Sequence, residues 1–192
     1  RGRIASLHAS SRASQRRVTV KARIVRQSGS RFTAAPIAQH LSYLKRDGVT
    51  RDGMPGHAYD ASSEDTDLDA FLERSDGDPH QFRFIVSPED AAELADVRTF
   101  TRELLTDMEK DLGTRLDWVA VDHFNTGHPH THVVIRGRDD RGGDLVMARD
   151  YIGHGVRARA QALVTLELGP ETQLERIQKL FDEVGQERLT RL

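Results

Sequence analysis

The stretch from Leu116 to Arg136 restricts the fold more than any other. Two runs, Leu116 to Asp122 (LDWVAVD) and His130 to Arg136 (HTHVVIR), are rich in β-branched and aromatic residues and flank the turn-forming Asn125-Thr126-Gly127. That pattern predicts an antiparallel hairpin. Of the nine histidines in the chain, His123, His128, His130 and His132 all fall in it. Side chains alternate along a strand, so His130 and His132 share one face while Thr131, Val133 and Ile135 share the other. The apolar face turns to the core, which leaves the histidine face open to solvent or substrate. His123 closes the first run, and pairing returns it beside the other two across the connection from Phe124 to Pro129. Three imidazoles then converge on one ion with coordination positions left open, as in a catalytic rather than a structural metal site. His128, in the turn, is a candidate for proton transfer, and Asp122 and Asn125 are candidates for contacts behind the ligands. An ordinary exposed hairpin would not recruit a histidine across its turn.

Elsewhere Val18 to Arg26 alternates, with Val18, Val20, Ala22 and Ile24 opposite Lys21 and Arg23, which predicts a half-buried strand. Ile37, Leu41 and Leu44 recur at helical spacing over Ala34 to Lys45, placing His40 and Tyr43 about one turn apart. Residues 47 to 80 read as a long loop with a short helix at Leu68 to Leu72. Gln81 to Val86 is a second strand. Ser87-Pro88-Glu89-Asp90 then carries a cap, a helix-starting proline and an acid, so a long helix is expected from there to Gly113. A short strand at Asp144 to Ala148 and two helices divided by Gly169-Pro170 complete the reading. The expectation is an α+β fold, a central antiparallel sheet covered by helices on one face.

A chain of 192 residues is long enough for one full core, and without cysteine it has neither disulfides nor thiolate metal ligands, which fits a reducing cytoplasm. No apolar run reaches the roughly 20 residues of a membrane span. The net charge of -2 hides an asymmetry: residues 1 to 60 hold twelve Arg and Lys against three Asp and Glu, the remainder sixteen against twenty-seven. The basic end is suited to phosphate. Residues 1 to 17, rich in Arg and Ser, read as a flexible basic arm preceding a single domain at 18 to 192. The absence of an initial methionine and the helical pattern running to Leu192 suggest the N-terminal part of something longer.

The chain has three tyrosines, Tyr43, Tyr59 and Tyr151. A phenol ionises far above neutral pH, so nucleophilic attack by one needs a cation, a metal or a base nearby. Tyr43 has His40 a turn away and Lys45 and Arg46 adjacent. With Lys21, Arg23 and Arg51, these two cations are candidate phosphate contacts. On an amphipathic helix a tyrosine is ordinarily a core or rim residue, and only the histidine hairpin argues otherwise.

The segments His40-Leu-Ser-Tyr43-Leu-Lys-Arg-Asp-Gly, Phe84-Ile-Val-Ser87-Pro and His123-x-Asn-x-x-His128-Pro-His130-Thr-His132-Val-Val resemble the three ordered motifs of conjugative relaxases, mobilisation nucleases of the HUH endonuclease superfamily, of the type that includes the T-DNA border nuclease. The resemblance spans about Val18 to about Pro170. It implies a tyrosine nucleophile at Tyr43, ligands at His123, His130 and His132 for Mg²⁺ or Mn²⁺, and nicking of single-stranded DNA at a transfer origin through a 5′-phosphotyrosyl intermediate. It also implies relaxosome accessory proteins and a coupling protein as partners, in a bacterial cytoplasm with delivery to a recipient cell. Two departures stand out: Asn125 occupies a position where many members carry Asp, and Ser87, which matches a DNA-contacting serine, also fits a helix cap. Rolling-circle initiators and single-tyrosine transposases share this chemistry. A metal-dependent hydrolase without a covalent intermediate is the alternative of another class.

Overall fold

The computed structural model describes residues 14–26 and 35–189. Strands β1 (Val18–Arg26), β2 (His80–Pro88), β3 (Trp118–His123) and β4 (His130–Arg136) form one antiparallel sheet in the order β1-β2-β4-β3. The helices are α1 (Ala35–Asp47), α2 (Leu68–Ser75), α3 (Val97–Leu112), α4 (Val156–Leu168) and α5 (Gln173–Leu189), with a π-helical turn at Tyr151–Gly155 entering α4. None is long and apolar enough to cross a membrane among the described residues.

The α+β class and the antiparallel sheet follow the expectation. Coverage on one face does not. On one side Val20, Phe82, Phe84, Val133, Ile135 and Trp118 pack against α3 and α4 through Phe100, Leu104, Met108, Ala160 and Val164. On the other, Val119, Val121 and Val134 meet Ile37, Leu41 and Leu44 of α1 and Phe71 of α2. The cause lies in Val133-Val134, which sends one valine to each face, and in β3, buried along its whole length. The histidine face is therefore half roofed, by α1 and α2 over β3 and β4, and open over β1 and β2.

The expected helix start at Ser87 is also corrected. Ser87 and Pro88 pair with Thr19 and Val18 as the last residues of β2, where a proline at a strand end gives up little of the ladder. The helix begins at Val97, capped by Asp96, whose carboxylate accepts the N–H groups of Arg98 and Thr99. Gly113 ends it with φ 67°, as its position predicts. No strand forms at 144–148 among the described residues; Arg138 and Asp144 make a single bridge, and Leu145 and Met147 enter the core individually.

Residues 1 to 13 of the expected arm lie outside the described residues, but its end is no arm. Arg16 is only 4% exposed. Its guanidinium reaches Asp90 and Glu175, both at 2.9 Å, and the carbonyl of Gly169 at 2.9 Å. Lys179 adds 2.6 Å and 2.9 Å contacts to Asp90 and Glu171. This ionic cluster holds the segment around Arg16 and the first half of α5 to the body.

Candidate metal centre

In the β3/β4 register His123 faces His130 and Val121 faces His132, so the three imidazoles occupy one corner of one sheet face. Their ring centroids are 5.3, 4.7 and 5.0 Å apart, and one ring nitrogen from each lies within 4.8 Å of the others. An ion bound at 2.0–2.1 Å in tetrahedral geometry needs nitrogens about 3.4 Å apart, so rotations moving each ring by about 1 Å close the site. His130 Nδ1 lies 2.9 Å from the carbonyl of His128. A carbonyl only accepts, so Nδ1 carries the proton and Nε2 keeps its lone pair for a ligand. Thr126 donates to the same carbonyl at 2.8 Å and braces the turn. Burial, then repulsion from His123, His130 and His40, lowers the pKa of His132 to about 3. His132 is thus neutral at physiological pH and loses no proton on ligating. The donor set fits a divalent ion, with room for water or substrate beside three nitrogens, and imidazoles alone do not select which ion.

Behind the hairpin, Asp122 points to the opposite face, where it accepts the hydroxyls of Tyr59 at 2.9 Å and Thr131 at 2.7 Å, with Arg98 at 3.5 Å. Thr131 is its direct cross-strand partner, so this carboxylate ties β3 to β4 between the histidines. Desolvation raises the Asp122 pKa despite these donors. Tyr59 is fully buried, edge-on to Trp118 and beneath the guanidiniums of Arg98 and Arg102. Burial and the neighbouring Asp122 push its phenol well above the usual range. It is a structural residue, and its place was illegible because its local neighbours read as loop. Thr131 gave a faint signal, as the one hydroxyl on the core side of a valine strand. Tyr151 is likewise engaged, donating to Asp111 at 2.9 Å.

Tyr43 has the opposite environment. The inner stripe of α1 is Ile37, Leu41 and Leu44, each 1% exposed, whereas Tyr43 is 52% exposed, with the Arg46 guanidinium 5.4 Å from its ring centroid. After α1 the chain turns at Gly48, where an added Cβ would lie 2.6 Å from Val121 Cγ1. Val49 then pairs with His123: its N–H donates to Asp122 O at 3.1 Å, and its carbonyl accepts from Phe124 at 2.9 Å. The helix carrying Tyr43 is thereby fastened to the strand end carrying His123. His40 is half-buried, its pKa lowered to about 4 by burial and then by Arg83 and Arg23. It stands between the triad and the cations of the open face.

Lys21 and Arg23, both exposed, lie on that face: Lys21 faces Ile85, which faces His132, and Arg23 faces Arg83, which faces Val134. Arg46 is exposed beside Tyr43, while the side chain of Lys45 lies outside the described residues. Arg51 is elsewhere, donating to the carbonyls of Ala91, Ala92 and Leu94 at 3.0, 3.2 and 2.7 Å and stacking on Phe124. Its work is to brace the turn before α3. Asn125 and His128 are exposed in the hairpin turn, and Ser87, no cap, donates to the carbonyl of Pro129 at 3.0 Å. Arg83 escaped the sequence reading, although a charge between Phe82 and Phe84 in an alternating strand marks the opposite face. No protein-family model matches the chain, and no curated protein matches it significantly.

Proposed function

We propose that the chain is a metal-dependent nuclease that nicks single-stranded DNA at a transfer origin, with Tyr43 as nucleophile. One observation carries the reading: three imidazoles meet at a sheet corner to which the helix of Tyr43 is fastened through Gly48 and Val49. The motif resemblance supports it independently. The strand would lie over β1 and β2, drawn by Lys21 and Arg23, with Arg46 beside the reacting phenol. The Tyr43 oxygen attacks the scissile phosphorus, the bond from phosphorus to the 3′-oxygen breaks, and that oxygen leaves with a proton. A 5′-phosphate ester on Tyr43 and a free 3′-hydroxyl result, and the ester conserves the energy for rejoining. An ion held by His123, His130 and His132, Mg²⁺ or Mn²⁺ in this reading, would neutralise charge developing on the phosphate. His128, exposed in the turn, would relay the proton. Accessory and coupling proteins would present the origin.

The test is incubation of 3′- and 5′-labelled single strands carrying candidate origins, with and without chelator, followed by denaturing electrophoresis. Chelator-sensitive cleavage that leaves one product bound to protein supports the reading. Two protein-free products would point instead to a hydrolase.

A further inference from the structure

We propose that a cleft beyond the outer edge of β3 receives one unpaired base of the bound strand, beside the nucleotide cut at the triad. The inference rests on the nicking reading and adds to it a contact outside the three motifs.

The cleft holds about 470 Å³ and lies between the turn at residues 50–54, the start of α3 and the end of β3. Asp122 and Phe124 both line it, and they flank His123 in the chain, so it begins one residue, about 3.8 Å between Cα atoms, from a triad ligand. Phe124, Met54 and Val97 supply apolar wall. Met54 is 63% exposed, yet its backbone is pinned: its N–H donates to the Thr50 hydroxyl at 3.1 Å, and its carbonyl accepts from the Thr50 N–H at 2.9 Å. A thioether held out in this way packs well against a flat ring.

At the cleft stands Asp122, its side chain only 7% exposed. Its Oδ1 accepts from Tyr59 and Thr131. Its Oδ2 has the Arg98 Nε at 3.5 Å, an ion-pair distance longer than a good hydrogen bond, so that oxygen keeps capacity to accept. Acceptor and donor thus stand side by side on two residues that line the cleft, the pattern met by the edge of an unpaired base, where an N–H adjoins a carbonyl or a ring nitrogen.

The other parts of the strand fit less well. Three carboxylates, Asp52, Asp96 and Asp122, line the cleft against two guanidiniums. Both guanidiniums are already engaged, Arg51 with the carbonyls at 91 to 94 and Arg98 with Glu64. A phosphate would be repelled here, whereas a neutral flat group with hydrogen-bonding edges would not. The volume falls in the range of small-ligand sites, about 300–1,000 Å³, and suits one nucleoside rather than a duplex. Sheet order puts the triad between the basic strands and the cleft, so a strand laid over β1 and β2 that passes the histidines arrives at the β3 edge.

Ala95 is an exposed lining residue, so Ala95→Trp fills the cleft from its rim. Anisotropy titrations without metal compare wild type and Ala95→Trp on a fluorescent oligothymidylate and on a strand of equal length that carries no bases. Ala95→Trp is expected to bind the oligothymidylate about tenfold more weakly and the baseless strand as wild type does, since stacking is lost and phosphate contacts are not. Zinc binding by Ala95→Trp, measured by calorimetry, is expected to match wild type, which shows an intact triad. Independently of any variant, ultraviolet cross-linking of wild type to a strand with 5-iododeoxyuridine in place of thymidine is expected to put a base on the peptide of Met54 or Phe124. Wild-type affinity of Ala95→Trp for oligothymidylate, equal losses on both strands, or cross-links that avoid both peptides overturn the base site and leave the nicking reading standing. A cleft that captures a base in a protein that cuts no single strand keeps the base site and overturns the nicking reading. Failure of the wild type to bind either strand overturns both.

Discussion

Replacing Arg16 with methionine keeps most of the aliphatic length of a side chain that is 5% exposed and removes every donor it carries. Three losses follow. Asp90, 3% exposed, keeps only Lys179 at 2.6 Å; the carbonyl of Gly169, beyond the end of α4, loses its 2.9 Å donor; and Glu175 loses its link to the body. Deleting one partner of a buried pair costs about 3–5 kcal/mol, because the other charge is left uncompensated. Lys179 still compensates Asp90 in part, which puts Arg16→Met near the lower end, at about 3 kcal/mol. For a domain of this size that is a fall of about 6–12 °C in Tm. Thermal unfolding followed by circular dichroism measures it, and a cycle with Asp90→Asn should yield a coupling of about 1–3 kcal/mol. A loss below about 1 kcal/mol, or strict additivity, would refute the reasoning and return residues 14–17 to a solvated arm.

Other expectations concern the site. His130→Ala and His132→Ala should each abolish tight metal binding in calorimetry with the fold retained, while His128→Ala should leave it largely intact, because only the backbone carbonyl of His128 meets a ligand ring; equal losses for all three contradict the ligand set. With folded pKa values of about 3 for His132 and about 4 for His40 against an ordinary 6.5, the unfolded chain binds more protons between those limits. Stability from these groups is therefore complete above about pH 6.5 and falls with acidification by roughly 1 kcal/mol per pH unit, after halving for partial exposure. Denaturant unfolding at several pH values checks this, and stability that rises as pH falls from 6.5 to 5 contradicts it. Gly48→Ala drives a methyl into Val121 Cγ1 at 2.6 Å, so it should cost about 1–3 kcal/mol and impair nicking more than metal affinity, since α1 moves and the hairpin does not. Unchanged nicking would remove α1 placement from the account.

The hairpin was legible because two local rules agree: alternation fixes which side chains share a face, and turn residues fix where the strands pair, so His123, His130 and His132 met as read. Ser87 failed where local rules compete. Its Ser-Pro-Glu-Asp context satisfies a helix start, but pairing of Thr19 and Val18 with Ser87 and Pro88 extends the strand, and Asp96 performs the cap. Arg16 was read from composition as part of a flexible arm, and Arg51 as a phosphate contact. Their partners, Asp90 and Glu175 for the one and the carbonyls at 91 to 94 for the other, are 74, 159 and about 40 residues away, and no window around either arginine contains them. Tyr59 belongs to the same class: its exchange of backbone hydrogen bonds with Ala120 carries it into the core, although His57 and Asp60 beside it spell a loop.

The central claim is that a covalent bond to DNA forms on Tyr43, and peptide mapping of a trapped adduct tests it most directly. A metal-loaded sample incubated with origin single strands is denatured, digested with protease and nuclease, and analysed by mass spectrometry. The account predicts a nucleotide 5′-phosphate on the peptide containing Tyr43, absent in Tyr43→Phe, which should still bind the strand. An adduct on Tyr59 or Tyr151, or cleavage with no adduct, contradicts it.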